Sequence, residues 1–181
     1  MAGWLVNPFF NGGGGMPPSG GVIGSKAATT FTEYWNSTTY TYTSAFTPTT
    51  AGQVSYIYFD TNPANANPTI MTNARAGIWD ASGNLVASSD ACGPTNSGSV
   101  YRWALTTPFT LVAATTYKLG FHAGGDFDHR IYVVSTSGNL VRDETTHGAS
   151  CVGPESTITD DATVDADNPM RIWASNEGDD W

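Results

Sequence analysis

Thr and Tyr alternate through "TTYTYTSAF" at 38–46, and that alternation restricts what the chain can become. Successive side chains of a strand point to opposite faces, so this run offers one aromatic face and one hydroxyl face. A helix would scatter the same tyrosines around its circumference. Similar short runs follow at "QVSYIYF" (53–59), "TIMTNARAGIWD" (69–80), "SVYRWAL" (99–105), "TYKLGFHA" (116–123), "RIYVVS" (130–135) and "MRIWAS" (170–175). With two "NLV" runs they make about ten strands. Gly, Pro, Asn and Asp punctuate the gaps, and no window keeps a helical period for three turns. Many short, evenly spaced strands predict an all-β chain: one β-sandwich of jelly-roll type over 28–181. The composition agrees, with 40 Ser and Thr, 20 Gly and only two lysines, Lys26 and Lys118. A chain of 181 residues is long enough to bury a core without a metal or a disulfide.

Residues 1–27 read as an extended N-terminal arm. "NGGGGMPPSGG" (11–21) is a flexible tether with a stiff Pro-Pro inside it. Ahead of it lie Trp4, Leu5, Val6, Phe9 and Phe10, an apolar group that is costly to leave in water. Three outcomes are open to it: packing on its own domain, docking on a neighbouring subunit, or disorder. The second makes these five residues assembly contacts.

The run "SGNLV" occurs twice, at 82–86 and 137–141. Each copy sits between strand-like runs and holds Gly-Asn, which tolerates positive φ, so the repeat predicts the same β-hairpin twice. Each copy also precedes one of the two cysteines, Cys92 and Cys151, followed by "GP" and "VGP". Two cysteines in matching loops are placed as a disulfide pair would be. No further ligands stand close enough for a zinc site.

Charge narrows the partners. The net charge is −9, and from Asp143 onward ten acids face one base, Arg171. No basic patch exists to displace counterions from phosphates, so nucleic acid is not an expected partner. No run approaches the ~18 apolar residues that span a bilayer, so no membrane insertion is expected. The first twenty residues lack the basic and apolar regions of a secretion signal. A Thr/Ser/Gly-rich, Lys-poor chain with a disulfide nonetheless suits an extracellular setting. Virus particle proteins reconcile the two: they are assembled in the host cytoplasm and exposed on the virion surface. A fragment of an extracellular protein is the alternative.

The segment "ARAGIWDASGNLVASS", with "YRWALTTPFTLVAATTYKLGFH" after it, resembles jelly-roll modules of bacteriophage minor tail proteins and related surface and polysaccharide-active proteins. The resemblance is carried by Gly77, Ile78, Trp79, Gly83, Leu85, Ala87, Trp103, Pro108, Leu111, Ala113 and Tyr117, within 75–123. Ala114 stands where that pattern has Gly. The resemblance implies a sandwich displayed on a surface, with roles in assembly or glycan contact. The partners it implies are other virion proteins, further copies of the chain and a host surface glycan.

Chemistry-bearing motifs are sparse. "AGGDFDHR" (123–130) gathers Asp126, Asp128, His129 and Arg130, with His122 just before. On a loop they suit ligand contact, or an Asp–Arg pair in a polar turn. A glycosidase needs carboxylates flanking the bond, ~5–9.5 Å apart, and two acids on one loop do not supply that. Asp160, Asp161, Asp165 and Asp167 lie close together and offer oxygens to calcium, though without the spacing of a helix–loop–helix calcium site. Either they form a solvated acidic loop or they bind that ion; no other cofactor is suggested. No Gly-x-Ser-x-Gly elbow, phosphate loop or dinucleotide fingerprint is present. "NST" (36–38) is read as an incidental sequon. Tyr34, Trp35, Tyr40, Tyr42, Tyr56 and Tyr58 crowd 25 residues, and those facing outward suit sugar stacking or subunit contact. The sequence therefore predicts a non-enzymatic structural protein of a phage particle, of the minor tail or decorating the head. A carbohydrate-binding module is the alternative.

Overall fold

The computed structural model describes residues 23–26, 30–32, 40–60, 73–90, 92–97, 99–122, 131–133, 138–144 and 154–177. Two antiparallel sheets pack face to face as a β-sandwich, and no α-helix occurs among the described residues. The strands are β1 (Ile23–Gly24), β2 (Thr30–Thr32), β3 (Thr41–Phe46), β4 (Gly52–Asp60), β5 (Arg75–Asp80), β6 (Leu85–Ser88), β7 (Thr95–Ser97), β8 (Val100–Leu111), β9 (Tyr117–His122), β10 (Ile131–Val133), β11 (Leu140–Asp143), β12 (Ala162–Asp165) and β13 (Ile172–Ser175). One sheet runs β1-β13-β4-β8-β7 and the other β12-β11-β3-β9-β5-β6, while β2 and β10 form a separate ribbon. Because Ile23 and Gly24 pair with Ala174 and Trp173, the sandwich starts inside the segment read as the arm.

Alternation fills the core as the sequence predicts. Ile57 and Phe59 of β4, Tyr101 and Trp103 of β8, and Ile172 and Ala174 of β13 enter from one sheet. Tyr42 of β3, Ala76 and Ile78 of β5, and Leu119 and Phe121 of β9 enter from the other. At the centre Phe121 lies 4.6 Å from the Phe59 ring, 5.8 Å from Tyr42 and 6.3 Å from Trp103, bridging the two sheets. Buried Trp103 keeps its indole satisfied by donating Nε1–H to the Ala74 carbonyl at 3.0 Å.

Strand β9 is buried on both faces, which alternation alone does not require. The segment 154–161 accounts for one part of this by crossing the outer side of the six-stranded sheet. Trp79 Nε1–H donates to the Glu155 carbonyl at 2.9 Å, and Leu85 N–H to the Ser156 carbonyl at 2.9 Å. Ile158 N–H returns to the Gly83 carbonyl at 2.9 Å. Further along, Lys118 Nζ meets Asp160 at 2.9 Å, and Thr159 N–H meets Asp143 Oδ2 at 2.9 Å. This strap places Trp79 under cover, fully buried though it faces away from the core.

The repeated "SGNLV" does not specify the same unit twice. The first copy is the predicted hairpin, joining β5 and β6 with Gly83 at φ +88°. Asp80 organises it: its Oδ1 accepts the Ser82 and Asn84 amides at 2.9 Å, and its Oδ2 accepts Asn84 Nδ2 at 2.9 Å. In the second copy the flanking strands part company, since β10 pairs with β2 while β11 pairs with β3 and β12. The position equivalent to Asp80 is Ser135, which lacks the two carboxylate oxygens that hold the first turn.

The Asn84 side chain, then the Asn84 backbone amide, with help from the Ser82 and Gly83 amides, holds the Asp80 carboxyl below its ordinary value of 3.8. A depressed acid stabilises the fold above its unfolded pKa, and that contribution disappears as pH falls through the lower folded value. The Asn84 amide resonance is therefore expected to titrate with a midpoint below 3.8. A midpoint at or above that value would contradict the turn described.

Ala114 answers for the missing glycine of the resemblance pattern. It sits at φ +58° with its N–H on the Pro48 carbonyl at 2.9 Å. The turn keeps the left-handed conformation that glycine favours, and a Cβ costs about 1–2 kcal/mol there. Ala114 is exposed, so its methyl does no packing that would offset the strain. Ala114→Gly should raise stability by up to about 1 kcal/mol after the entropy of the freer unfolded chain is counted. Urea unfolding measures this, and a lower midpoint for the variant would contradict it.

Candidate functional site

The outer face of the five-stranded sheet carries a cross-strand row of rings and cations. Register sets Trp173 beside Tyr58 and Tyr58 beside Arg102. The Trp173 and Tyr58 rings stack at 5.2 Å with 5° between their planes. Lys26 Nζ lies 5.4 Å from the Trp173 ring and Arg171 Cζ 5.9 Å from it. At the other end Arg102 Cζ lies 5.3 Å from the Tyr56 ring, and its Nε–H donates to Thr95 Oγ1 at 3.2 Å. Arg142 covers Tyr40 in the same way at 5.4 Å. Four of the seven Lys and Arg residues therefore sit over aromatic rings, three of them on this one face.

Most of that row is closed to a ligand. Tyr58 and Trp173 are buried, with the Tyr58 hydroxyl donating to the Glu177 carbonyl and Arg171 paired with Asp60. Access begins at Tyr56, where a cleft of about 150 Å³ is lined by Tyr56, Gly93, Thr95, Arg102, Trp103 and Ala104. A ring edge, a guanidinium and a hydroxyl suit contact with a polar, ring-shaped group such as a single sugar. They include no nucleophile with an adjacent base.

No family model matches the chain, and no curated protein matches it. The functional reading therefore rests on the residues themselves.

Of the acids flagged in the sequence, Asp160, Asp161 and Asp165 make contacts within the domain. Asp160 pairs with Lys118, and Asp161 accepts the Glu144 amide at 3.0 Å and the Thr159 hydroxyl at 2.8 Å. Asp165 Oδ1 accepts the Asp167 amide at 3.0 Å and the Asn168 amide at 3.2 Å. Asp167 is exposed. Among the described residues no three metal-ligating side chains gather. Thr41 Oγ1 lies 3.2 Å from His122 Nδ1, but both residues are fully buried and no substrate reaches the hydroxyl.

Cys92 is exposed and disulfide-bonded. Its proposed partner Cys151 lies outside the described residues, as do Trp4, Leu5, Val6, Phe9, Phe10, Asp126, Asp128, His129 and Arg130. Of the crowded aromatics, Tyr34 and Trp35 also lie outside. Tyr42 faces the core, whereas Tyr56 and Tyr58 face outward as alternation allows. Sequence reasoning did not find Trp173, Arg102 or Arg171 as members of this face. Their strands were legible, but their neighbours are set by pairing between strands far apart in the chain.

Proposed function

We propose that the chain is a non-enzymatic structural protein of a bacteriophage particle, a minor tail or head-decorating protein. The segment before β1 anchors it to neighbouring virion proteins or copies of itself, and a sandwich of jelly-roll type is displayed on the surface. One observation carries this reading. The uncharged sequence before Lys26 enters the domain through β1, at the extreme edge of the five-stranded sheet. A tether that leaves from a sheet edge can reach a neighbour without disturbing the core.

A second reading, a carbohydrate-binding module, is favoured by the Tyr56–Arg102 cleft. Two experiments separate them. Particles assembled with Trp4→Ala, Phe9→Ala and Phe10→Ala in this chain should lack the protein, while the purified variant remains folded. Retention of the variant at the normal copy number would overturn the anchoring role. Immobilised glycans that capture the native chain, but not Tyr56→Ala, would put the second reading in place of the first.

A further inference from the structure

The cleft at Tyr56 is built by a break between two strands. The register of β4 and β8 stops at the Tyr56–Ala104 pair and resumes at Val54–Phe109. The extra residues of β8, 105–108, turn instead toward the other sheet. There Leu105 bridges Ser89, and the Thr106 hydroxyl donates to the Ser88 carbonyl at 3.1 Å. A bulge of this kind re-aims the side chains beside it. Tyr56 and Arg102 line the opening of about 150 Å³ that results. The facing wall is fixed in place. Gly93 turns at φ +78° and donates its N–H to the Ala74 carbonyl at 3.1 Å, the carbonyl that also takes the Trp103 indole. Cys92 beside it is disulfide-bonded. Thr95 pairs with Arg102 in the β7–β8 ladder, and its hydroxyl accepts Arg102 Nε–H at 3.2 Å. Arg102 Cζ also lies 5.3 Å from the Tyr56 ring, so the guanidinium is held from two sides. A side chain ordered in advance loses less freedom when a ligand arrives.

The geometry points to this cleft as the subsite for one carboxylated sugar residue of a glycan, of the uronic acid class. This rests on the carbohydrate-binding reading above and names the sugar that reading leaves open. Charge decides between a neutral and an acidic sugar. Arg102 is the one charged residue of the lining, which contains no Asp or Glu. It is half-buried, and the partner of its Nε–H is a neutral hydroxyl. A neutral sugar would take water from the guanidinium and return no counter-charge. A carboxylate meets the planar fork with charge-assisted hydrogen bonds. The Tyr56 ring and the exposed Ala104 methyl supply apolar surface for the C–H groups of the sugar ring. Size and net charge limit the ligand to one acidic unit. The opening equals the share of roughly five water molecules, which admits part of a single ring. Further along the face Lys26 and Arg171 lie over Trp173, which is buried along with Tyr58, and Arg171 is paired with Asp60. They do not continue the subsite into a track for a polyanion. A chain of net charge −9 also repels a ligand that carries many negative charges.

Nitrogen-15 spectra of the full chain, titrated with methyl glucuronide, methyl glucoside and acetate, test this. The glucuronide should shift the Arg102 Nε–H and the Gly93, Thr95 and Ala104 amides. It should bind about tenfold tighter than the glucoside, the factor that one charge-assisted hydrogen bond supplies. Arg102→Gln should bring the two sugars level, with circular dichroism unchanged. Equal affinities in the native chain would overturn the acidic class and leave the carbohydrate-binding reading standing. A preference that survives Arg102→Gln would overturn the role of the guanidinium. Acetate acting as strongly as the glucuronide would overturn the sugar in favour of an acidic peptide. Resonances that respond to neither sugar would overturn this subsite and the carbohydrate-binding reading together.

Discussion

Cys92→Ser is expected to lower stability by about 4 kcal/mol, the chain-entropy value for releasing a loop of roughly 60 residues. For a chain of 181 residues that corresponds to a fall in Tm on the order of 10 °C. Cys92 is disulfide-bonded, and the chain has one other cysteine, Cys151, as the proposed partner. That pairing would tie the loop between β6 and β7 to the chain three residues before Pro154, where the described part of the strap begins. The strap covers Trp79 and supplies the carbonyl that its indole needs. Its release should therefore raise the local exchange of the Leu85 and Ile158 amides more than that of β9 amides in the core. Calorimetry with and without reductant checks the first effect and amide exchange the second. Intact mass after alkylation supplies the covalent evidence. Two free thiols in the native protein, or a Tm unmoved by Cys92→Ser, would contradict the bond.

Phe121→Ala should cost about 3–5 kcal/mol, the range for deleting a buried aromatic side chain. Phe121 contacts rings from both sheets: Tyr42 in its own, Phe59 and Trp103 in the other. The sheet itself limits how far the site can collapse. β3 and β9 are hydrogen-bonded neighbours whose spacing the ladder fixes, so they cannot move together to fill the void. The loss is a large fraction of the 5–15 kcal/mol that holds a typical domain. Urea unfolding followed by tryptophan fluorescence measures it. A loss below about 1 kcal/mol would mean that the two sheets are not locked together at this point.

Much of this fold could be read from local chemistry. Alternation in 38–46 and 53–59 put the tyrosines of each run on one face, because a period of two survives whatever the strand pairs with, but which face is inside came from the packing: Tyr42 enters the core while Tyr56 and Tyr58 face away from it. Asp80, Gly83 and Asn84 announced a hairpin, because every bond of that turn lies within five residues. The second "SGNLV" misled because the repeated letters omit the residue that does the organising, Asp80, where the second copy has Ser135. The strap was not legible either. Residues 154–161 have the composition of an acidic loop, and their role depends on Trp79, Gly83 and Lys118, which are distant in sequence. The cation–ring row failed to show for the same reason. Nothing local to Arg102 or Trp173 records that β4 lies between them.

The first residues of the chain are proposed to hold it to further copies of itself. Light scattering behind gel filtration tests this most directly, comparing the full chain with the Trp4→Ala, Phe9→Ala, Phe10→Ala variant. The native chain should associate to a multiple of its 19.1 kDa mass as concentration rises, and the variant should remain at 19.1 kDa with an unchanged circular dichroism spectrum. Equal masses for the two at every concentration would contradict it.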